Sequence, residues 1–152
     1  MDKVKIAFFD IDGTLLELGK TEITAKTRKA LYALKQNGIK IGIATGRAFA
    51  TIPVFDGIVF DAVLAFNGSF CVADNQIVAK YPIPKDDVQK IIENAKRMGR
   101  PVSIATAEDI VANGSDKDLE DYYAIAHHKV NVSEKFAEYV KTDVFQIMLG
   151  CN

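Results

Sequence analysis

Two cysteines and two histidines in 152 residues leave little material for disulfide or zinc chemistry. Cys71 and Cys151 lie far apart, with no CxxC pair and no histidine at ligand spacing, so buried free thiols are expected. Long apolar runs are missing too. Nothing approaches the ~18 residues of a membrane span, and Met1-Asp2-Lys3-Val4 leads into a short strand without the apolar core of a signal peptide. The cytoplasm is therefore the expected compartment. Charge of one sign is also lacking: 19 Lys and Arg face 20 Asp and Glu, for a net charge of -1. This excludes the basic stripe that nucleic acid or anionic lipid would require, so any phosphate chemistry must be local. Internal repeats and low-complexity tracts are absent.

What the chain does have is core material. With 49% hydrophobic and 26% charged residues it is not disordered as a whole. A chain near ~150 residues buries about 70% of its unfolded surface, enough to stand without staples.

Val4 to Phe9 reads as a buried strand that stops at Asp10-Ile11-Asp12-Gly13. A helix follows, with Thr24 as N-cap, Ala30, Leu31 and Leu34 as its apolar stripe and Gly38 at its C-terminal stop. Lys40 to Ala44 reads as a second buried strand, ending at Thr45-Gly46-Arg47. Strand, helix and continuous apolar strand predict a right-handed βαβ unit and an α/β class. Pro53 breaks the next segment into a ragged turn before a third strand near Ala62 to Phe66, closed by Asn67-Gly68. Phe70 to Val72 and Ile77 to Tyr81 predict a hairpin with the four-residue turn Ala73-Asp74-Asn75-Gln76.

Pro82 and Pro84 then bar regular helix and central strand, which places a domain boundary there: residues 1–82 before it, 83–152 after it. The second part reads as α+β. Helices are expected over Lys85 to Met98, Asp116 to Ala126 and Glu134 to Tyr139, and strands over Pro101 to Thr106, Ile110 to Ala112 and Val144 to Leu149.

Asp10 and Asp12 carry the strongest chemical signal. If extended geometry persists past Phe9, their carboxylates point to one side, at the carboxyl end of a strand where α/β sheets bind ligands. Two like charges there call for a cation such as Mg²⁺ or for a retained proton. The plain alternative is an Asp-Gly turn with Asp10 as its cap. Arg47 equally suits a solvated surface site, and Asn67-Gly68 is a common turn pair. His127-His128 reads as a solvated helix end, and Asp86, Asp87 and the acidic residues from Asp116 to Asp121 as helix-start and surface charge.

The run Ala7-Phe8-Phe9-Asp10-Ile11-Asp12-Gly13-Thr14 resembles motif I of the haloacid dehalogenase superfamily, a hydrophobic strand followed by DxDGT. A chance DxDGT in a chain this long is on the order of one in several hundred. Ile43-Ala44-Thr45-Gly46-Arg47 resembles motif II, and Phe66-Asn67-Gly68 resembles the NG element of Cof-like members, which insert a large α/β cap after the third core strand. The resemblance implies a partial doubly wound, Rossmann-like parallel core followed by part of an α+β cap. It implies a Mg²⁺-dependent phosphatase of small phosphorylated metabolites, sugar phosphates first among them.

In that resemblance Asp10 is the nucleophile that forms an aspartyl-phosphate, and Asp12 is the acid/base. Asp12 at this position points to phosphate transfer rather than to dehalogenase or ATPase chemistry. The Asp10 carboxylate and the Asp12 carbonyl would hold the metal. Thr45, Gly46, Arg47, Asn67 and Gly13 would line the phosphate site. The family's motif III lysine and GDGxND-like motif IV are not found in these residues. The core strands that would cover Val4 to Phe9 are also missing, which implies an exposed apolar edge open to self-association. Three readings stay open: the N-terminal portion of a phosphatase; a catalytically incompetent fragment or interaction module on the same fold; and, less favoured because it needs neither Asp12 nor a cap, a phospho-accepting signalling domain.

Overall fold

The computed structural model describes residues 4–17, 19–125 and 128–150. The chain divides into two compact units, Met1–Arg47 with Thr51–Lys80, and Ala48–Ala50 with Tyr81–Asn152.

The first unit is a five-stranded mixed sheet. Strands β1 (Ile6–Phe9), β2 (Lys40–Ala44) and β3 (Ala62–Ala65) run parallel, and β4 (Phe70–Ala73) and β5 (Gln76–Lys80) extend the sheet antiparallel in the order β1-β2-β3-β4-β5. Helix α1 (Ala25–Gln36) links β1 to β2. Thr24 Oγ1 accepts the Thr27 N–H at its start. At its end Gly38, at φ 73°, donates to Lys35 O while Ile39 donates to Leu34 O, a paired closure that a left-handed glycine allows. Leu31 drives α1 onto a core of Ile11, Leu15, Leu16, Ile23, Ile41, Ile43, Phe55 and Ile58. Burial of each large aliphatic chain there contributes about 1.5–3 kcal/mol.

Strand β2 is buried as expected, whereas β1, which its apolar run alone reads as buried, is the exposed apolar edge that the family resemblance implied. It forms one edge of the sheet, with Ile6 and Phe8 on the exposed side of its pleat, and Val4 before it is exposed as well. An apolar run reads as buried only when both neighbours are present, and here β2 is its one partner among the described strands. Phe8 lies opposite Gly42 in the β1–β2 register, and its ring fills the space that a side chain at Gly42 would need.

The hairpin also departs from the expected four-residue turn. Ala73 pairs with Gln76, so the turn is the two-residue Asp74-Asn75, with φ of 49° and 60°. Asp and Asn tolerate the left-handed region, and two such residues match the twist of the flanking strands. A bulge between Cys71 and Val72 absorbs the change in register. Cys71 is free but only partly buried, against the expected buried thiol, with Sγ directed at Gly68 O at 3.2 Å; Cys151 lies outside the described residues.

The second unit is α+β. Helix α2 (Lys85–Arg97) starts after Pro84, whose carbonyl accepts the Asp87 and Val88 N–H groups. Strands β6 (Ser103–Ala105), β7 (Ile110–Ala112) and β8 (Gln146–Met148) form an antiparallel sheet in the order β7-β6-β8. Helix α3 (Lys117–Ile125) follows β7, and helix α4 (Phe136–Tyr139) precedes β8. The core of this unit is Val88, Ala95, Val102, Ile104, Val111, Phe136, Val140 and Val144.

Several elements here are shorter than the sequence patterns suggest. Pro101 has no N–H for a ladder, and Thr106 leaves the strand because its Oγ1 accepts the Glu108 and Asp109 N–H groups. Asp116 caps α3 by accepting the Leu119 N–H rather than joining the helix. Asp116 and Asp118 are not simple surface charge either: Arg100 bridges them at 3.1 and 3.0 Å, with all three side chains at most 26% exposed. His128 is exposed just past α3, whereas Ala126 and His127 lie outside the described residues. Among the described residues no helix is long and apolar enough to cross a membrane.

Candidate active site

Three adjacent parallel strands end at the same margin of the first sheet. Asp10 follows β1, Thr45 follows β2, and Phe66-Asn67 follow β3, so the predicted residues meet at the carboxyl ends of the strands.

The Asp10 turn is built from its own hydrophobic residues. Ile11 is fully buried and Leu15 and Leu16 nearly so, while Asp10, Asp12, Gly13 and Thr14 face solvent. Leu16 N–H donates to Ile11 O and Gly13 N–H to Leu16 O, both at 2.8 Å, closing the loop on itself. Gly13 takes φ of 76°, which favours glycine. Extended geometry therefore ends at Phe9, and the expected strand alternation does not place the two carboxylates. Asp10 Oδ1 instead accepts the Ile11 N–H at 2.8 Å.

Asp12 is claimed by Arg47. Arg47 Nε donates to Asp12 Oδ2 at 2.8 Å and Nη2 to Oδ1 at 2.7 Å, a two-pronged ion pair. These bonds hold the Asp12 carboxyl below the usual carboxylate range against a smaller opposing effect of burial. Arg47 is pushed further up, chiefly by its hydrogen bonds to Asp12, and Asp10 adds a weaker Coulombic contribution. Both carboxylates thus act on one guanidinium. Sequence reasoning missed this pairing; an Asp and an Arg, each ending one of two paired parallel strands, were the available signal.

Thr45 is buried, and its Oγ1 accepts the Arg47 N–H at 3.2 Å. Phe66 and Asn67 adopt φ of 50° and 56°, ahead of Gly68 at 93°. Left-handed backbone at two consecutive residues that are not glycine is strained, and hydrogen bonds to the neighbouring turn hold it: Phe66 N–H to Arg47 O and Asn67 N–H to Thr45 O, each 3.0 Å. The Asn67 side chain lies beside Gly46, where an added Cβ would stand 3.1 Å from Oδ1. Gly46 and Asn67 are exposed.

Among the described residues, the second oxygen of Asp10 and the Asp12 carbonyl accept no hydrogen bond. Oxygen donors of this kind suit a hard cation that retains several waters. No group of three His, Cys, Asp or Glu converges among the described residues, so the fit to Mg²⁺ is right in donor type and partial in number.

A sequence profile of haloacid dehalogenase-like hydrolases matches residues 7–152. The chain belongs to that family. It is 29% identical over 150 residues to a Bacillus subtilis protein named "Putative phosphatase YkrA", covering 97% of this chain and 57% of that one. Its fold is similar to that of BT1666 from Bacteroides thetaiotaomicron, described among phosphatases of the superfamily, with a TM-score of 0.82, 29% identity, and coverage of 96% and 55%. It is also similar to BT4131, described as a subclass IIB sugar phosphatase, with a TM-score of 0.76, 27% identity, and coverage of 96% and 58%. These matches support the Cof-like branch and the α/β, Rossmann-like core. The chain spans somewhat over half the length of these relatives.

Proposed function

We propose that this chain carries the nucleophile half of a phosphate monoester hydrolase, with residues 1–82 as core and 83–152 as part of a cap that selects the substrate. One observation carries the reading: Asp10, Asp12, Thr45 and Asn67 follow the carboxyl ends of three adjacent parallel strands, and Asp10 is an exposed residue with one carboxylate oxygen outside its hydrogen bond to Ile11.

In this reading an Asp10 oxygen attacks phosphorus and the bond from phosphorus to the leaving alkoxide breaks. Asp12 supplies the alkoxide with a proton. Asp12 then takes a proton from water as that water attacks the aspartyl-phosphate, which releases phosphate and restores Asp10. Arg47 favours the ionised form of Asp12, which accepts this proton, and opposes the protonated form that the leaving-group step uses, so one fork-bonded oxygen must be released for Asp12 to carry the proton. The Thr45 hydroxyl hydrogen, the Asn67 amide and the exposed backbone at Gly46 and Gly13 are the donors for phosphoryl oxygens, with Arg47 adding positive charge. Mg²⁺, held by the Asp10 carboxylate and the Asp12 carbonyl, would offset the charge of phosphate beside two aspartates.

The substrate class is a small phosphorylated metabolite such as a sugar phosphate, supported by the likeness to a protein described as a sugar phosphatase. A cytoplasmic setting, without nucleic acid or membrane partners, agrees with the balanced charge. The exposed β1 edge is the route for self-association.

The test is p-nitrophenyl phosphate hydrolysis under Mg²⁺ titration, with wild type and Asp10→Asn side by side. Magnesium-dependent turnover that Asp10→Asn abolishes is expected. Turnover that is absent, or indifferent to the substitution, supports the interaction-module reading instead.

A further inference from the structure

Arg47 ends the turn after β2 with its guanidinium directed at the turn after β1. Besides the two bonds to Asp12, its Nη1 donates to Thr51 O at 3.3 Å. The backbone beneath the fork is fixed as well, with its N–H on Thr45 Oγ1 and its carbonyl accepting the Phe66 N–H. Three of the five guanidinium N–H groups are thereby engaged, two of them on one carboxylate. Asp12 is half exposed, and Arg47 is its hydrogen-bond partner among the described side chains. A half-exposed aspartate held by nothing else samples several rotamers, whereas a planar fork sets the position and the plane of the carboxylate together.

We infer that Arg47 is a positioning residue: it holds the Asp12 carboxylate at the strand ends and is not a primary ligand of the substrate phosphoryl group. The role rests on the reading of Asp12 as proton carrier. A lysine would keep the charge but not the fork, so the two assignments make opposite predictions for Arg47→Lys.

Two measurements test this. Arg47→Lys and Arg47→Gln are each assayed, beside the wild-type protein, on p-nitrophenyl phosphate and on glycerol phosphate. Both variants are expected to lower kcat on glycerol phosphate by about 10-fold or more, with KM changed less than about 3-fold. The loss should be smaller on p-nitrophenyl phosphate, whose leaving group needs little protonation. A rise in KM with kcat retained, repaired by Lys, would overturn the inference.

The second measurement needs no turnover. The Arg47 Nε–H resonance of the ¹⁵N-labelled protein should exchange slowly, collapse in Asp12→Ala and stay in place when inorganic phosphate is added. A resonance indifferent to Asp12→Ala, or one that moves with phosphate, overturns it. If wild type shows no turnover while this resonance depends on Asp12, the hydrolase reading fails and the Asp12–Arg47 contact stands.

Discussion

The backbone N–H of Asn67 donates to the Thr45 carbonyl at 3.0 Å, so the turn after β3 is hydrogen-bonded to the turn after β2. That bond is made from left-handed backbone at Asn67, and it sets the Asn67 side chain beside Gly46. The turn role of Asn67 and its proposed phosphate contact are separable. Asn67→Gly accepts the conformation at no steric cost and should leave stability unchanged or raise it by up to about 1 kcal/mol, while Asn67→Ala should lower it by about 1 kcal/mol. Both should weaken inorganic phosphate binding, read by calorimetry. Full affinity in Asn67→Gly would leave Asn67 as a turn residue alone.

Ile11 anchors the Asp10–Asp12 turn, because it is completely buried between two exposed aspartates. Ile11→Ala should cost about 2–5 kcal/mol and Ile11→Val about 0.5–1.5 kcal/mol, measured by chemical denaturation. Activity at a temperature where Ile11→Val remains folded should also fall, since the turn loses its inner support. Unchanged stability in Ile11→Ala would contradict the anchoring role.

Gly42 has no room for a methyl group. A Cβ there would stand 2.5 Å from the Phe8 ring and 3.3 Å from the Ala62 carbonyl. Gly42→Ala is expected to destabilise the protein by about 1–3 kcal/mol. Because the nearer obstacle is a half-exposed ring, adding Phe8→Ala should recover much of that loss in a double-mutant cycle. Strictly additive effects would place the strain at the Ala62 carbonyl instead.

Asp61 ties the start of β3 to β2 and α1. Its Oδ2 accepts the Ile41 N–H at 2.9 Å and lies 3.4 Å from Lys35 Nζ. The Ile41 N–H first, and Lys35 after it, hold the Asp61 carboxyl below the usual carboxylate range. A depressed folded-state value means that this contribution is complete above the unfolded value near ~3.9 and is lost as pH falls through the folded one. Asp61→Asn should therefore cost about 1 kcal/mol at neutral pH, a figure reduced for the partial exposure of the pair, and the gap between wild type and variant should begin to narrow as pH falls below about 3.9 and close below the folded-state value. A stability gap that does not narrow at all as the Asp61 carboxyl is titrated would assign the effect to packing.

Much of the fold was legible in local chemistry. Thr24 and Gly38 bracket α1 because a hydroxyl cap and a left-handed glycine do the same work in any helix, and β2 declares itself through an unbroken apolar run. The misplaced details have two causes. The burial of β1 and the length of the hairpin turn depend on what lies across from them, which a strand does not specify locally, whereas β6 is cut short by local groups, Pro101 and the Thr106 hydroxyl.

The same division holds for the site. The amino-acid sequence by itself determined the family, through DxDGT, the TGR turn and the NG pair, and with it the residues at the strand ends. It could not determine that Arg47 faces Asp12 or that Asn67 leans on Gly46, because these contacts join turns 35 and 21 residues apart. Only the parallel pairing of β1, β2 and β3 brings those turns to one margin of the sheet, where charge and hydrogen bonding then decide which groups hold one another.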